Sequence, residues 1–76
     1  MSAHRFEDFT PISSGHLDGV KYNSAERRMT VRFQNGYHYN VHGVSLEDYQ
    51  AFLDAPSQGE HYHQIIKENY RIDRVK

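Results

Sequence analysis

Between residues 28 and 42 apolar and polar positions alternate with a period of two on either side of an Asn-Gly dipeptide. Met29, Val31 and Phe33 fall on one side of the first run, and Arg28, Thr30 and Arg32 on the other. Tyr37, Tyr39 and Val41 then alternate with His38, Asn40 and His42. Such alternation marks two half-buried strands. Opposed residues of an antiparallel pair share a face, so the pattern tests the turn length. A two-residue loop would oppose Phe33 to His38 and mix the faces. A three-residue loop, Gln34-Asn35-Gly36, opposes Phe33 to Tyr37, Val31 to Tyr39 and Met29 to Val41. Arg32, Thr30 and Arg28 then meet His38, Asn40 and His42, and both faces agree. Gly36 falls where this turn needs a positive φ.

The flanks are read the same way. Leu17, Val20 and Tyr22 precede a polar cluster, "NSAE", suited to a turn between strands. Leu17 to Val20 is an odd step, so one strand carries both on one face only if a bulge resets the phase, and Gly19 is the place for it. Downstream, Ser45 with Asp48 and Ser57 with Glu60 are N-cap signals. Leu46, Tyr49, Phe52 and Leu53 share one face of the first helix, which Pro56 stops. Tyr62, Ile65, Ile66 and either Asn69 or Tyr70 recur at helical spacing in the second. The tail, "YRIDRVK", suits a short fourth strand or an extended segment. Residues 1–13 have no clear period and are read as a flexible or loosely docked arm. The order predicts an α+β domain over residues 14–76: a three-stranded antiparallel meander with two helices packed on its Tyr37/Tyr39 face.

Length limits the stability of that domain. With 76 residues a chain buries only roughly 60% of the surface its unfolded form exposes, so large aromatics must fill much of the core. There is no cysteine, which excludes disulfides and thiolate metal sites and makes a reducing cytoplasm the simplest expectation. No stretch of about 18 consecutive apolar residues could span a bilayer, so no membrane association is expected. The net charge of −1 is uneven: residues 1–26 sum to −2, 27–45 to +3, 46–60 to −4 and 61–76 to +2. A strongly basic nucleic-acid footprint is absent, and what remains is a basic patch on the central hairpin and another at the C-terminus.

Six histidines raise the question of a metal. His38 and His42 share a strand face but lie roughly 13 Å apart at about 3.3 Å per residue, too far to hold one ion. His61 and His63 would point about 200° apart on a helix. Neither pair forms a site, and no cofactor is expected. Catalysis is not expected either: there is no Gly-x-Ser-x-Gly elbow, phosphate loop or cysteine.

The polar hairpin face is the candidate surface. Lys21, Arg28, Arg32, His38, Asn40 and His42 suit phosphate, carboxylate or base-edge contacts, although any solvated sheet face carries such residues. Tyr37 and Tyr39 could stack on bases, but their cross-strand partners are apolar, which favours burial under the helices.

Taken together, Ser14, Val20-Lys21-Tyr22-Asn23, "MTVRFQNG", Tyr37-His38-Tyr39 and "VSLEDYQAFLDAPSQGEHYHQIIKENY" resemble the KTSC domain family over roughly residues 13–75. That family is named for its occurrence at the C-terminus of some lysyl-tRNA synthetases and also occurs as small stand-alone bacterial and phage proteins. Its most specific elements are a Tyr-x-Tyr, matched by Tyr37 and Tyr39, and an Ala-x-Ser-x-Gly, matched by Ala55, Ser57 and Gly59. With Gly36 these are expected to be structural. In the second helix, family members usually carry an aromatic pair, Asn and later Ile-Arg; here His61, Tyr62, His63, Ile66 and Lys67 stand instead. The synthetase context implies RNA binding. The expectation is a non-enzymatic module, monomeric or weakly homodimeric. It would bind RNA through the hairpin face, with a protein partner as the alternative, met by the open sheet face, an edge strand or the acidic first helix (Glu47, Asp48, Asp54).

Overall fold

The computed structural model describes residues 9–75. Its central hairpin joins β3 (Arg28–Phe33) to β4 (His38–His42) through the three-residue turn. Phe33 N–H donates to the Tyr37 carbonyl and Gly36 N–H to the Phe33 carbonyl, each at 2.9 Å. Gly36 has φ +91°, a conformation in which a Cβ would crowd the backbone. The register is the one the alternation requires: Arg32 opposite His38, Val31 opposite Tyr39, Thr30 opposite Asn40, Met29 opposite Val41 and Arg28 opposite His42.

β2 (Leu17–Asn23) pairs antiparallel with β3, and its register shifts between Leu17 and Gly19. Asp18 is the extra residue, so the bulge sits beside the glycine and lets Leu17 and Val20 both turn inward, where both are buried. The turn from β2 to β3 closes with Glu26 N–H on Asn23 Oδ1 and Arg27 at φ +53°.

The sheet has five strands rather than three, all antiparallel, in the order β1-β2-β3-β4-β5. β1 (Thr10–Ser14) lies within a stretch read as an arm; it pairs with β2 at one edge, where Pro11 is tolerated. Residues 1–8, the rest of that arm, lie outside the described residues. β5 (Arg71–Arg74) resolves the ambiguous tail as a strand on β4, with Ile72 opposite Val41.

Helix α1 (Leu46–Asp54) starts at Ser45, whose Oγ accepts the Asp48 N–H at 3.0 Å, and ends before Pro56. Helix α2 spans residues 58–69: Gln58–His61, a π-helical turn Tyr62–Ile66 and Lys67–Asn69. Ser57 Oγ caps it by accepting the Glu60 N–H at 3.3 Å. In the wide turn Lys67 N–H reaches back five residues to the Tyr62 carbonyl.

Both helices cover the face that carries Met29, Val31 and Val41. These three, with Leu17, Val20, Val44, Phe52, Tyr62 and Ile66, form the core. Three residues expected in it are not. Tyr37 is 42% exposed, because it stands at the turn end of the hairpin, where its ring stacks on the Arg74 guanidinium instead of a helix. Ile65 is 45% exposed. Ile65 and the buried Ile66 are consecutive on α2 and so point in different directions, and Gly59 fixes the roll of the helix by its contact with β1. Leu46, in the first turn of α1, is also exposed.

The contact at Gly59 accounts for the Ala-x-Ser-x-Gly segment. Gly59 N–H donates to Ser14 Oγ at 2.9 Å, and Ser14 Oγ lies 3.4 Å from Ser57 Oγ. A Cβ on Gly59 would come within 3.0 Å of the Ser14 carbonyl oxygen. Only a residue without a side chain lets the start of α2 lie directly on the end of β1.

Candidate functional site

The polar hairpin face is assembled as its alternation requires, but its cations are already engaged. Arg32 Nε donates to Asp18 Oδ1 at 2.6 Å, from the bulge in β2. Arg28 is paired with Glu26 from the preceding turn. His42 Nε2 lies 2.9 Å from Asp73 Oδ2 on β5. Thr30, only 7% exposed, donates its hydroxyl to Asn40 Oδ1 at 2.6 Å. The Phe9 ring covers the middle of the face, with Lys21 Nζ 4.8 Å and the Arg32 guanidinium 4.7 Å from its centroid and the His38 ring edge-on at 5.1 Å. All six sequence candidates, Lys21, Arg28, Arg32, His38, Asn40 and His42, thus sit on one side of the sheet, each with a partner from this chain. Among the described residues no group of three or more His, Asp or Glu side chains gathers as metal ligands would.

A second surface lies on the other side, between α2 and the β3, β4 and β5 strands. A groove of about 420 Å³ is lined by Phe33, Tyr39, Tyr62, His63, Lys67, Tyr70 and Ile72. Its origin is a mismatch in width: α2 crosses a five-stranded sheet, and the aromatic rings of β3 and β4 extend past it. Phe33 is edge-on to Tyr39 at 5.3 Å and to Tyr62 at 5.6 Å, the geometry that aromatic quadrupoles prefer. A neighbouring hollow of about 320 Å³ adds His16, Gln34 and Asn35, and shares Phe33 and His63 with the groove.

Two tyrosine hydroxyls of this groove hold their protons tightly. Burial pushes the Tyr62 hydroxyl up to about 12, with the nearby Tyr39 adding to the shift. Burial also raises Tyr70 to about 12, reinforced by its hydrogen bond to Asp48 and by the carboxylate's charge. At neutral pH both are neutral donors. Among the described residues Lys67 has no ion pair, and Arg74, directly opposite Tyr39 in the ladder, meets only the Tyr37 ring.

Of the motif residues, Gly36, Ser57 and Gly59 act through turn, cap and close packing, while Tyr39 lines the groove and Tyr37 packs on Arg74. His16, Tyr62, Lys67, Tyr70 and Arg74 were not candidates from sequence. The one available signal was the polar edge of the second helix, His63 and Lys67, where the chain departs from the family pattern.

Known proteins share this architecture. The crystal structure of a KTSC domain protein from Yersinia pestis superposes with a TM-score of 0.82 at 24% identity, covering 91% of this chain and 97% of its own, a likeness of fold. An uncharacterized protein of Stutzerimonas stutzeri is 32% identical over 65 residues, 84% of this chain and 92% of that one. A protein of Tsukamurella paurometabola is 30% identical over 61 residues, 80% and 91% of the two chains. The KTSC domain model matches residues 13–70. With more than half of its length matched, the chain belongs to the KTSC domain family.

Proposed function

We propose that this protein is a non-catalytic module that binds single-stranded RNA, and that the binding surface is the aromatic groove rather than the hairpin face. The observation that supports it is the combination of Phe33 and Tyr39, partly buried rings that line the groove, with Lys67 and Arg74, two cations without carboxylate partners among the described residues. Unpaired bases stack on aromatic rings, and lysine and arginine take the phosphates that follow. On the hairpin face, a phosphate would first have to displace Asp18, Glu26 or Asp73 from its cation.

The affinity is modest on this reading. About two phosphate contacts on a single strand give a slope near −1.4 in log K against log salt. Fluorescence anisotropy of a labelled single-stranded RNA at low and physiological salt tests the reading. Lys67→Ala with Arg74→Ala is expected to abolish most of the salt dependence and weaken binding at least about tenfold, whereas Arg28→Ala with Arg32→Ala changes it less than threefold. The absence of binding at low salt, where the electrostatic contribution is largest, sinks the proposal.

A further inference from the structure

β5 ends the sheet, and among the described residues no strand pairs with its outer side. Its backbone phase is fixed from within: Val75 N–H donates to the His38 carbonyl at 2.8 Å. Because the bonds of an antiparallel ladder alternate along each strand, Arg71, Asp73 and Val75 turn their backbone groups toward β4. Ile72 and Arg74 therefore present theirs outward. We propose that two copies of this chain associate through β5, antiparallel, in the register that sets Ile72 against Ile72 of the partner subunit.

Phase and charge select this register together. Within β5 the outward backbone groups are those of Ile72 and Arg74, preceded by the Tyr70 carbonyl, so the self-pairings that use the strand's own groups are Ile72 with Ile72, Ile72 with Arg74, or Arg74 with Arg74. The last opposes two guanidiniums. The second centres the pair on Asp73 and sets two carboxylates face to face, which is destabilising. In the first, Arg71 stands opposite Asp73 of the partner subunit, and Asp73 opposite Arg71 of the partner subunit. Both pairs fall at the positions between backbone bonds, where side chains come closest. Arg71 and Asp73 have side chains 75% and 57% exposed and within one chain approach only to 3.8 Å; Asp73 also meets His42 through Oδ2 at 2.9 Å, so the new partner joins that contact at an exposed carboxylate. Arg74 N–H meets the carbonyl of Tyr70 of the partner subunit, whose own N–H is held by Ile66.

Charges on an edge strand ordinarily discourage pairing. Here the Arg-Ile-Asp order makes the edge complementary to itself and repels other registers, the behaviour of an isologous two-fold contact. A four-residue edge buries far less than the roughly 1,200 Å² of a stable interface, so the dimer is weak and depends on concentration. The two-fold axis stands perpendicular to the sheet and leaves both helix layers on one side. Each groove is lined by Tyr70 and Ile72, so the two grooves flank the seam. Only this last consequence rests on the RNA reading; the association itself does not.

Sedimentation equilibrium of the RNA-free protein, from micromolar to millimolar concentration at low salt, tests the proposal. The expected average mass rises from 9.0 kDa toward twice that value. Arg71→Asp alone and Asp73→Arg alone each weaken association at least about tenfold, by turning two cross-strand attractions into repulsions. The double exchange, Arg71→Asp with Asp73→Arg, restores it, with far-UV circular dichroism confirming an unchanged fold. A constant monomer mass overturns the proposal. Association unaffected by the single exchanges, or not recovered in the double one, overturns it equally.

Discussion

On the helix side of the sheet Met29, Val31 and Val41 are fully buried and the aromatic rings beyond them line a groove. On the other side Arg28, Arg32 and His42 each meet a carboxylate, and Phe9 lies across the middle. The two faces come from the same alternation in the same two strands, yet they are completed by different parts of the chain. The helices complete the first, and leave an open aromatic groove at their margin, near Lys67 and Arg74, which have no carboxylate partner among the described residues. Asp18, Glu26 and Asp73, from a bulge, a turn and an edge strand, complete the second and satisfy it. A surface that looks basic in sequence can meet its own carboxylates in the fold, and a face that looks like core can leave an open groove where its cover runs out.

Substitutions separate the two faces by size of effect. Phe52 fills the helix side and is fully buried. Phe52→Ala is expected to cost about 3–5 kcal/mol, most of the stability of a domain this small, so urea denaturation should find the variant largely unfolded. Gly59→Ala is next, at about 1–3 kcal/mol, because the added methyl meets the Ser14 carbonyl. The same urea titration reads it, and Ser14→Gly, which leaves that carbonyl in place, does not relieve it.

The groove tyrosines give a pH dependence of opposite sign to that of acid-labile proteins. Tyr62 and Tyr70 titrate near 12 in the fold and near 10 when unfolded. The folded state therefore keeps these protons more tightly. The stability they contribute is fully present below pH 10 and is lost as pH rises through 12. Urea midpoints measured between these values should fall, and Tyr62→Phe should flatten the fall. A midpoint that stays level in the parent protein contradicts the burial of these hydroxyls. The smallest effect belongs to the hairpin face. Arg28→Ala removes a surface ion pair and is expected to cost under about 1 kcal/mol, a value a double-mutant cycle with Glu26→Ala can resolve.

The register of β3 and β4 was legible because a period-two pattern allows one answer for a three-residue turn, and Gly36 supplies the φ that turn needs. The helix starts were legible in Ser45 and Ser57 for a similarly local reason. β1 was not, since "TPISS" carries one apolar side chain and a proline, and its pairing depends on the Gly59 contact 45 residues away. Tyr37 was misplaced because alternation gives its face but not how far along that face the helices reach. The partners of the basic patch were not legible for a different reason: Asp18 and Asp73 lie 14 and 31 residues from the side chains they engage. The groove was invisible because Phe33, Tyr39, Lys67 and Ile72 come from four separate elements, and no periodicity links them.

The most direct test is a nitrogen-15 chemical-shift titration of the protein with a short single-stranded RNA at low salt. The account predicts that the shifts concentrate on Phe33, Tyr39, Tyr62, Lys67 and Arg74, with Lys21, Arg28 and Asn40 unmoved. Shifts centred on Lys21, Arg28 and Asn40, with the groove residues still, contradict it.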